Sequence, residues 1–577
     1  MESNEVLDRL PRHLMSLVIE QPYNTYTAQD HAVWRYVMRQ NVRYLPHVAH
    51  SSYLDGLKRT GISVDQIPHM YGMNRILKEI GWAAVAVDGF IPPAAFMEFQ
   101  AYNVLVIAAD IRPVNQIMYT PAPDIIHEAA GHAPIIADQE YAAYLRDFGK
   151  TGSLAFSSIY DGQLYEAIRH LSILKADPYS DRESIESAEK ELDALTRRSS
   201  GPSEMALLRN LHWWTVEYGL IGDLRKPKIY GAGLLSSIGE SYSCLQDHVR
   251  KIPYSPEARF VNFDITTQQP QLFVTPDFGH LHAVLNEFES SLAFLNGGLE
   301  GINKAIISGD VSTLTFSSGL QASGVTTNVI GWNGQPAYIS FGGPVQLAIS
   351  KSQLNGHGKD YHAHGFGSPV GKIKGIATPP ENLTKDQLEA LEIKTGNRVD
   401  LEFESGVRVK GVIRNLTRHK DKNILFSFSD CMVTYQDKAL FQPSWGIYDM
   451  AIGSEITSCF SGPADPDAYG FEFPVPREKT HKIEHSQHAL ALHKHYSSVR
   501  KIRENGGDHS LLHQIAEDLL QNFPQDWLLH LEIHEILESA DDPAETRNKI
   551  LRHLKQKAID DESLLKLIQD GLAAEKS

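Results

Sequence analysis

The stretch Pro121-Ala122-Pro123-Asp124-Ile125-Ile126-His127-Glu128-Ala129-Ala130-Gly131-His132-Ala133-Pro134 decides how the rest of the chain is read. It gathers two histidines five positions apart, two carboxylates and three prolines. Pro123 and Asp124 predict a helix start, because proline tolerates the first turn and an acid there complements the helix dipole. On a regular α-helix His127 and His132 point about 140° apart, at roughly 100° per residue. A metal bound by both therefore needs a helix distortion or a helix end, and Gly131 is the weak point available. The zinc-protease pattern requires histidines at i and i+4, and that position is Gly131, so spacing excludes it. Two unrelated histidines are the plainer alternative, disfavoured by so dense a set of ligand types.

The surrounding composition narrows the partners. At 577 residues, with 42% apolar and 22% charged residues, the chain reads as a globular protein of more than one core. A formal net charge of −17 argues against a nucleic-acid partner, which needs a basic face. Cys244, Cys431 and Cys459 are too few and too far apart for a disulfide framework or a cysteine zinc site, which suits a reducing cytoplasm. The opening MESNEVLDRL has no secretion-signal order, and no run reaches about 18 apolar residues, so no membrane partner is expected.

Outward from the central stretch, the pattern predicts a mainly α catalytic domain with short strands over residues 1–295. A β-rich domain over 296–475 and a small C-terminal helical domain over 476–577 follow. Thr27 to Asp30 can cap the helix of HAVWRYVMRQNVRYL. WAAVAV reads as a short buried run, and Ile91-Pro92-Pro93 as a rigid extended turn. Exposed backbone around Gly89 and Ile91, with Phe96 beyond, suits a flat heterocycle on an aromatic ring; plain core is the alternative for Phe96. Residues 150–202 read as a charged surface hairpin of helices, split at Asp177-Pro178. Glu217, among Trp213, Trp214 and Tyr218, needs a cationic partner or a metal, a core arginine being the simpler choice. The small residues of YGAGLLSSIGE imply close approach to a ligand or another element.

Beyond residue 296, hairpins are predicted at Asn333-Gly334 and Ser405-Gly406, with a small barrel near 395–440. GHGKDYHAHGFG reads as a solvated glycine-rich loop, a metal at His357, His362 and His364 being the alternative. In the tail, Asp508, Asp526 and Asp542-Pro543 mark helix starts. His481, His485, His488, His493 and His495 read as a polar helix face, with a pH-sensitive or metal-binding surface as the alternative. The tail is expected to bind another protein or to mediate self-association.

Two histidines and a distant glutamate suit either a facial triad for non-haem iron(II) or a catalytic zinc, and spacing leaves both open. IRPVNQIMYTPAPDIIHEAAGHAPIIAD, WWTVEYGL and YGAGLLSSIGE, however, resemble the signature segments of the pterin-dependent aromatic amino acid hydroxylases. The resemblance extends from about residue 25 to 295. It implies iron(II) ligands at His127, His132 and Glu217, and a substrate pocket at Arg112, Thr120, Trp213 and Ser236. Pterin contacts are implied at Gly89, Ile91, Phe96 and Glu128, and catalytic roles for Glu128 and for Ser236, the latter as the partner that orients His127. The implied reaction uses O2 and a tetrahydropterin to hydroxylate a free aromatic amino acid, L-phenylalanine to L-tyrosine being the first reading. Tyrosine or tryptophan hydroxylation, or a zinc-type hydrolase with Glu128 as general base, are the alternatives. The chain departs from the family in the long span between His132 and Glu217, in Pro93, and in His212, where an aromatic is usual.

Overall fold

Thr27 begins the helix on which the N-terminal half is assembled. Its hydroxyl accepts the Asp30 backbone N–H at 3.2 Å, and its own N–H donates to the Asp30 carboxylate at 2.7 Å. This capping box starts Ala28–Val48, which buries Ala32, Val33, Trp34, Val37 and Leu45. Val33, Val37 and Leu45 are each worth roughly 1.5–3 kcal/mol when removed from water, so the helix is fixed by its apolar face more than by its cap. This computed structural model describes residues 4–118, 123–176, 180–197, 201–265, 267–474, 486–540 and 544–574. Thr120, Asp177-Pro178, His481, His485 and Asp542-Pro543 lie outside the described residues.

WAAVAV becomes the strand Ala83–Val87, parallel to Val104–Ala108, with the helix Pro93–Ala101 crossing between them. Pro92 caps that helix and Pro93 occupies its first turn, where a missing N–H costs nothing. The predicted hairpin of helices is Ile159–Ala176 against Arg182–Thr196.

From Val311 to Ser461 the chain is strand-rich. Asn333 and Gly334 take positive φ of 48° and 77° between the long strands Leu320–Trp332 and Gln335–Ile349. That left-handed pair matches the twist of a two-residue hairpin. The region near 395–440 is an open sheet rather than a barrel. Among the described residues its pairings run in line from Arg398–Glu402 through Val407–His419 and Lys422–Tyr435 to Lys438–Phe441, with no pairing between the ends. One edge of Lys422–Tyr435 is shared between two partners, Lys438–Phe441 at Val433–Tyr435 and Tyr448–Ala451 at Leu425–Phe428.

The C-terminal helices are not a free-standing module. Leu512, Leu529, Ile533 and Leu554 belong to the same buried apolar cluster as Trp34, Val37 and the core around the central stretch. Tyr36 donates its hydroxyl to the Leu567 carbonyl at 2.7 Å, and Arg35 forks onto Glu532 at 2.8 and 2.7 Å. Of the histidines predicted as a polar face, His488 is exposed and stacks on Phe523, while the half-buried His493 and His495 reach Gln29 at 3.2 Å and Asp518 at 2.7 Å. Periodicity showed a face; what docks on it came from the other end of the chain. Among the described residues no helix is long and apolar enough to cross a membrane.

Candidate metal centre

Ile126–His132 is a π-helix, and this resolves the awkward five-residue spacing. In the wider π turn, residues five apart stack one above the other. The Ala133 N–H donates to the Glu128 carbonyl, five residues back. The widening rests on small residues and a tertiary contact. A Cβ on Gly131 would lie 2.6 Å from the Ala232 carbonyl oxygen, so only glycine lets the two segments meet. Tyr53 donates its hydroxyl to the Ala130 carbonyl at 2.9 Å. Trp213–Glu217 is a second π-helix, continuing Glu204–His212 and closed by the Tyr218 N–H on the Trp213 carbonyl at 2.8 Å. A Cβ on Gly231 would come within 2.4 Å of the Glu217 carbonyl oxygen. The small residues of YGAGLLSSIGE therefore serve to seat both π-helices.

Three ligand atoms converge as a result. His127 Nε2 lies 3.1 Å from His132 Nε2, and the Glu217 oxygens lie 3.2 Å from His127 Nε2 and 3.3 Å from His132 Nε2. A metal with bonds of roughly 2.0–2.2 Å sets its cis ligands about 3 Å apart, so the set fits one facial site. Glu128 sits beside it, 3.9 Å from His132 Nε2, and its buried Oε2 has no hydrogen-bond partner. Glu217, closer to both rings, is the third ligand this geometry offers.

The electrostatics agree. Burial alone would raise the Glu217 pKa, but His132 and His127 outweigh it and hold the carboxyl well below its usual range. Burial pushes Glu128 up to about 8, against the pull of His132 and with help from Glu217 and Asp124. His212, 3.8 Å from Glu217, is driven down to about 4 by burial, and its ring sits edge-on to Phe96 and Phe148.

Ser236 fixes the tautomer of His127. Its hydroxyl donates to the Ala232 carbonyl at 2.8 Å, so its oxygen accepts from His127 Nδ1 at 3.0 Å. The proton on Nδ1 leaves Nε2 as the ligand atom. Ser236→Ala is expected to weaken iron retention about 10–100-fold, read as iron content after dialysis against a chelator.

Arg112 is tied into the same frame. Its Nε and Nη2 fork onto Asp124 at 2.8 Å each, and Nη1 lies 3.4 Å from the Ser236 carbonyl. Asp124 in turn accepts the His127 backbone N–H at 3.0 Å. Burial would raise Asp124, but Arg112 outweighs it and holds the carboxyl ionised.

His127, Glu217, Arg112, Trp213 and Ser236 all face one cavity of about 2010 Å³, with His132 and Glu128 buried behind its wall. Trp213 is stacked between Tyr218 and Phe263, at 4.5 and 4.1 Å. The far walls come from the helical hairpin, at Tyr160, Tyr165 and Arg169, and from the strand-rich region, at Asp310 and Ser461. Gly89, Ile91 and Phe96 are not on the wall, which is formed there by Phe90, Pro92, Pro93, Ala94 and Met97. Ile91 instead packs in a cluster with Leu14, Val85 and Phe473, and Phe96 is wedged against His212. Gly89 turns the chain with φ of 67°.

Glu240, which sequence reading missed, also lines the cavity. The signal was its place three residues after Ser237, whose side chain caps the Glu240 N–H. Burial raises its pKa from 4.5 to about 7, opposed by the hydroxyl donated from Tyr218 at 2.7 Å. The folded protein thus holds this proton more tightly than the unfolded chain. The stability it contributes is full below pH 4.5 and is lost as pH rises through about 7. Unfolding free energy, relative to Glu240→Gln, is expected to fall by about 3 kcal/mol across that window in urea titrations at stepped pH.

Residues 19–160 and 189–294 match the profile of a family described as Biopterin-dependent aromatic amino acid hydroxylase, and the gap falls in the helical hairpin. Phenylalanine-4-hydroxylase of Chromobacterium violaceum is 29% identical over 266 residues, covering 46% of this chain and 75% of the relative. Human tyrosine 3-monooxygenase is 27% identical over 277 residues, covering 47% of this chain and 44% of the relative. A crystal structure of the Chromobacterium violaceum phenylalanine hydroxylase, with bound iron(III) and 7,8-dihydrobiopterin, is 25% identical with a TM-score of 0.38, covering 49% of this chain and 89% of that one.

Proposed function

We propose, from the premise that residues 19–294 place this chain in the biopterin-dependent aromatic amino acid hydroxylase family, that it converts L-phenylalanine to L-tyrosine. The observation that carries the reading is the convergence of His127, His132 and Glu217, with ligand atoms 3.1–3.3 Å apart at the wall of a large cavity. Two neutral imidazoles and one carboxylate suit iron(II) and leave its cavity-side positions for other ligands. Iron(II) and a tetrahydropterin, when bound, supply the activation of O2 that ring hydroxylation needs.

The chain's own residues bind, orient and exclude water. Arg112 is held rigid by Asp124, which presents the guanidinium edge near Ser236 to a substrate carboxylate. Trp213, locked between two rings, offers an apolar wall for the substrate ring. Glu128, buried behind the cavity wall, keeps an unpartnered oxygen 3.9 Å from His132 Nε2, where it can orient a water at the metal. The wall of Phe90, Pro92, Pro93, Ala94 and Met97 would offer a tetrahydropterin an apolar surface. The helical hairpin, as the far wall of the cavity, would limit the water that reaches the metal.

The test is product identification with iron(II), tetrahydrobiopterin and O2, offering phenylalanine, tyrosine and tryptophan in parallel. Tyrosine formed fastest from phenylalanine supports the proposal. Faster hydroxylation of tyrosine or tryptophan reassigns the substrate, and no pterin-dependent product from any of the three overturns the reading.

A further inference from the structure

The glycine-rich stretch 356–367 is more ordered than its composition suggests. Strand Gln335–Ile349 holds it in place: the Leu347 N–H donates to the His357 carbonyl at 2.9 Å, and the Val345 N–H to the His362 carbonyl at 3.2 Å. His357 Nδ1 and His362 Nε2 then face each other at 3.2 Å, with the rings 5.4 Å apart and 22° from parallel. Asp449 joins them from Tyr448–Ala451, a strand of the other sheet, and the three ligand atoms all lie within 4.8 Å of one another. His362 and Asp449 are buried, while His364 is exposed and points elsewhere.

We propose that His357, His362 and Asp449 bind a zinc(II)-class divalent cation that fastens the two sheets of the strand-rich region together. Tetrahedral zinc with bonds of about 2.0–2.1 Å places neighbouring ligand atoms roughly 3.3–3.4 Å apart, close to the separation of the two ring nitrogens. Two imidazoles and one carboxylate make a three-ligand set, leaving the fourth position to water. The carboxylate is itself oriented, since Ser427 donates its hydroxyl to Asp449 Oδ1 at 2.5 Å, as the partners of metal ligands do. Converging Lewis bases away from water are costly without a cation or a shared proton between them. A shared proton between the two rings is the competing account, and it predicts no metal at all.

The test uses the full chain carrying His132→Ala and Glu217→Ala, which removes the other metal centre, stripped with chelator and titrated with zinc(II) alone. One equivalent bound, lost on further substitution by His362→Ala and by Asp449→Asn, supports the site. Asp449→Asn keeps the carboxylate's shape, so it reports on the ligand even where His362→Ala disturbs the fold. Cobalt(II) in the same protein is expected to show the strong visible absorption of a tetrahedral site. No zinc bound, zinc binding unchanged by both further substitutions, or a weak octahedral cobalt spectrum overturns the proposal.

Discussion

Glu217→Ala is expected to lower turnover by more than about 100-fold and to leave the purified chain nearly free of iron, beyond the loss that an orienting partner such as Ser236 causes. The carboxylate supplies the atoms that sit 3.2 and 3.3 Å from the two histidine nitrogens, so its removal takes away one corner of the site and its only negative charge. Iron content by elemental analysis, read beside the rate, separates lost metal from lost chemistry. A Glu217→Ala protein that keeps both iron and rate would show that Glu128, 3.9 Å from His132, is the ligand instead.

The largest stability effect is expected far from the cavity, at Glu532→Ala. The side chains of Arg35 and Glu532 are only 2% and 6% exposed, and Arg503 approaches the same carboxylate at 3.3 Å. Removing the carboxylate strands the buried Arg35 guanidinium, while Arg503 keeps Glu535 at 3.0 Å, and the loss is about 3–5 kcal/mol. Typical domains hold only about 5–15 kcal/mol in total, so the C-terminal helices should loosen from Ala28–Val48 and become sensitive to protease. The combined change Arg35→Met with Glu532→Leu is expected to recover most of the loss, because it removes the stranded charge as well. Urea titration measures both, and a loss under about 1 kcal/mol for Glu532→Ala would contradict the shared core.

Much of this was legible in the sequence, for identifiable reasons. The Thr27 box and the Asn333-Gly334 turn are local signals that local structure obeys, whereas WAAVAV reads only as a short apolar run until its parallel pairing with Val104–Ala108 makes it a strand. The ligand set of His127, His132 and Glu217 came from resemblance, and the structure brings all three together. The π-helix did not come from spacing, because what widens the turn is tertiary: the Ala232 carbonyl against Gly131 and the Tyr53 hydroxyl on Ala130. Asp449 could not be paired with His357 and His362 for the same reason, as sheet packing alone brings it near. The Arg35–Glu532 pair spans 497 positions, and nothing in either helix's periodicity names the other. Gly89, Ile91 and Phe96 matched a pattern, but Ile91 packs on the cluster of Leu14 and Val85 and Phe96 meets His212, residues whose positions depend on the rest of the fold.

The most direct test of the central claim compares amino acid hydroxylated with tetrahydropterin oxidised, in the full chain loaded with iron(II) and, separately, with zinc(II). The account predicts tyrosine from phenylalanine in step with pterin consumption for the iron protein, and none for the zinc protein. Product formed without pterin, or formed by the zinc protein, would contradict it.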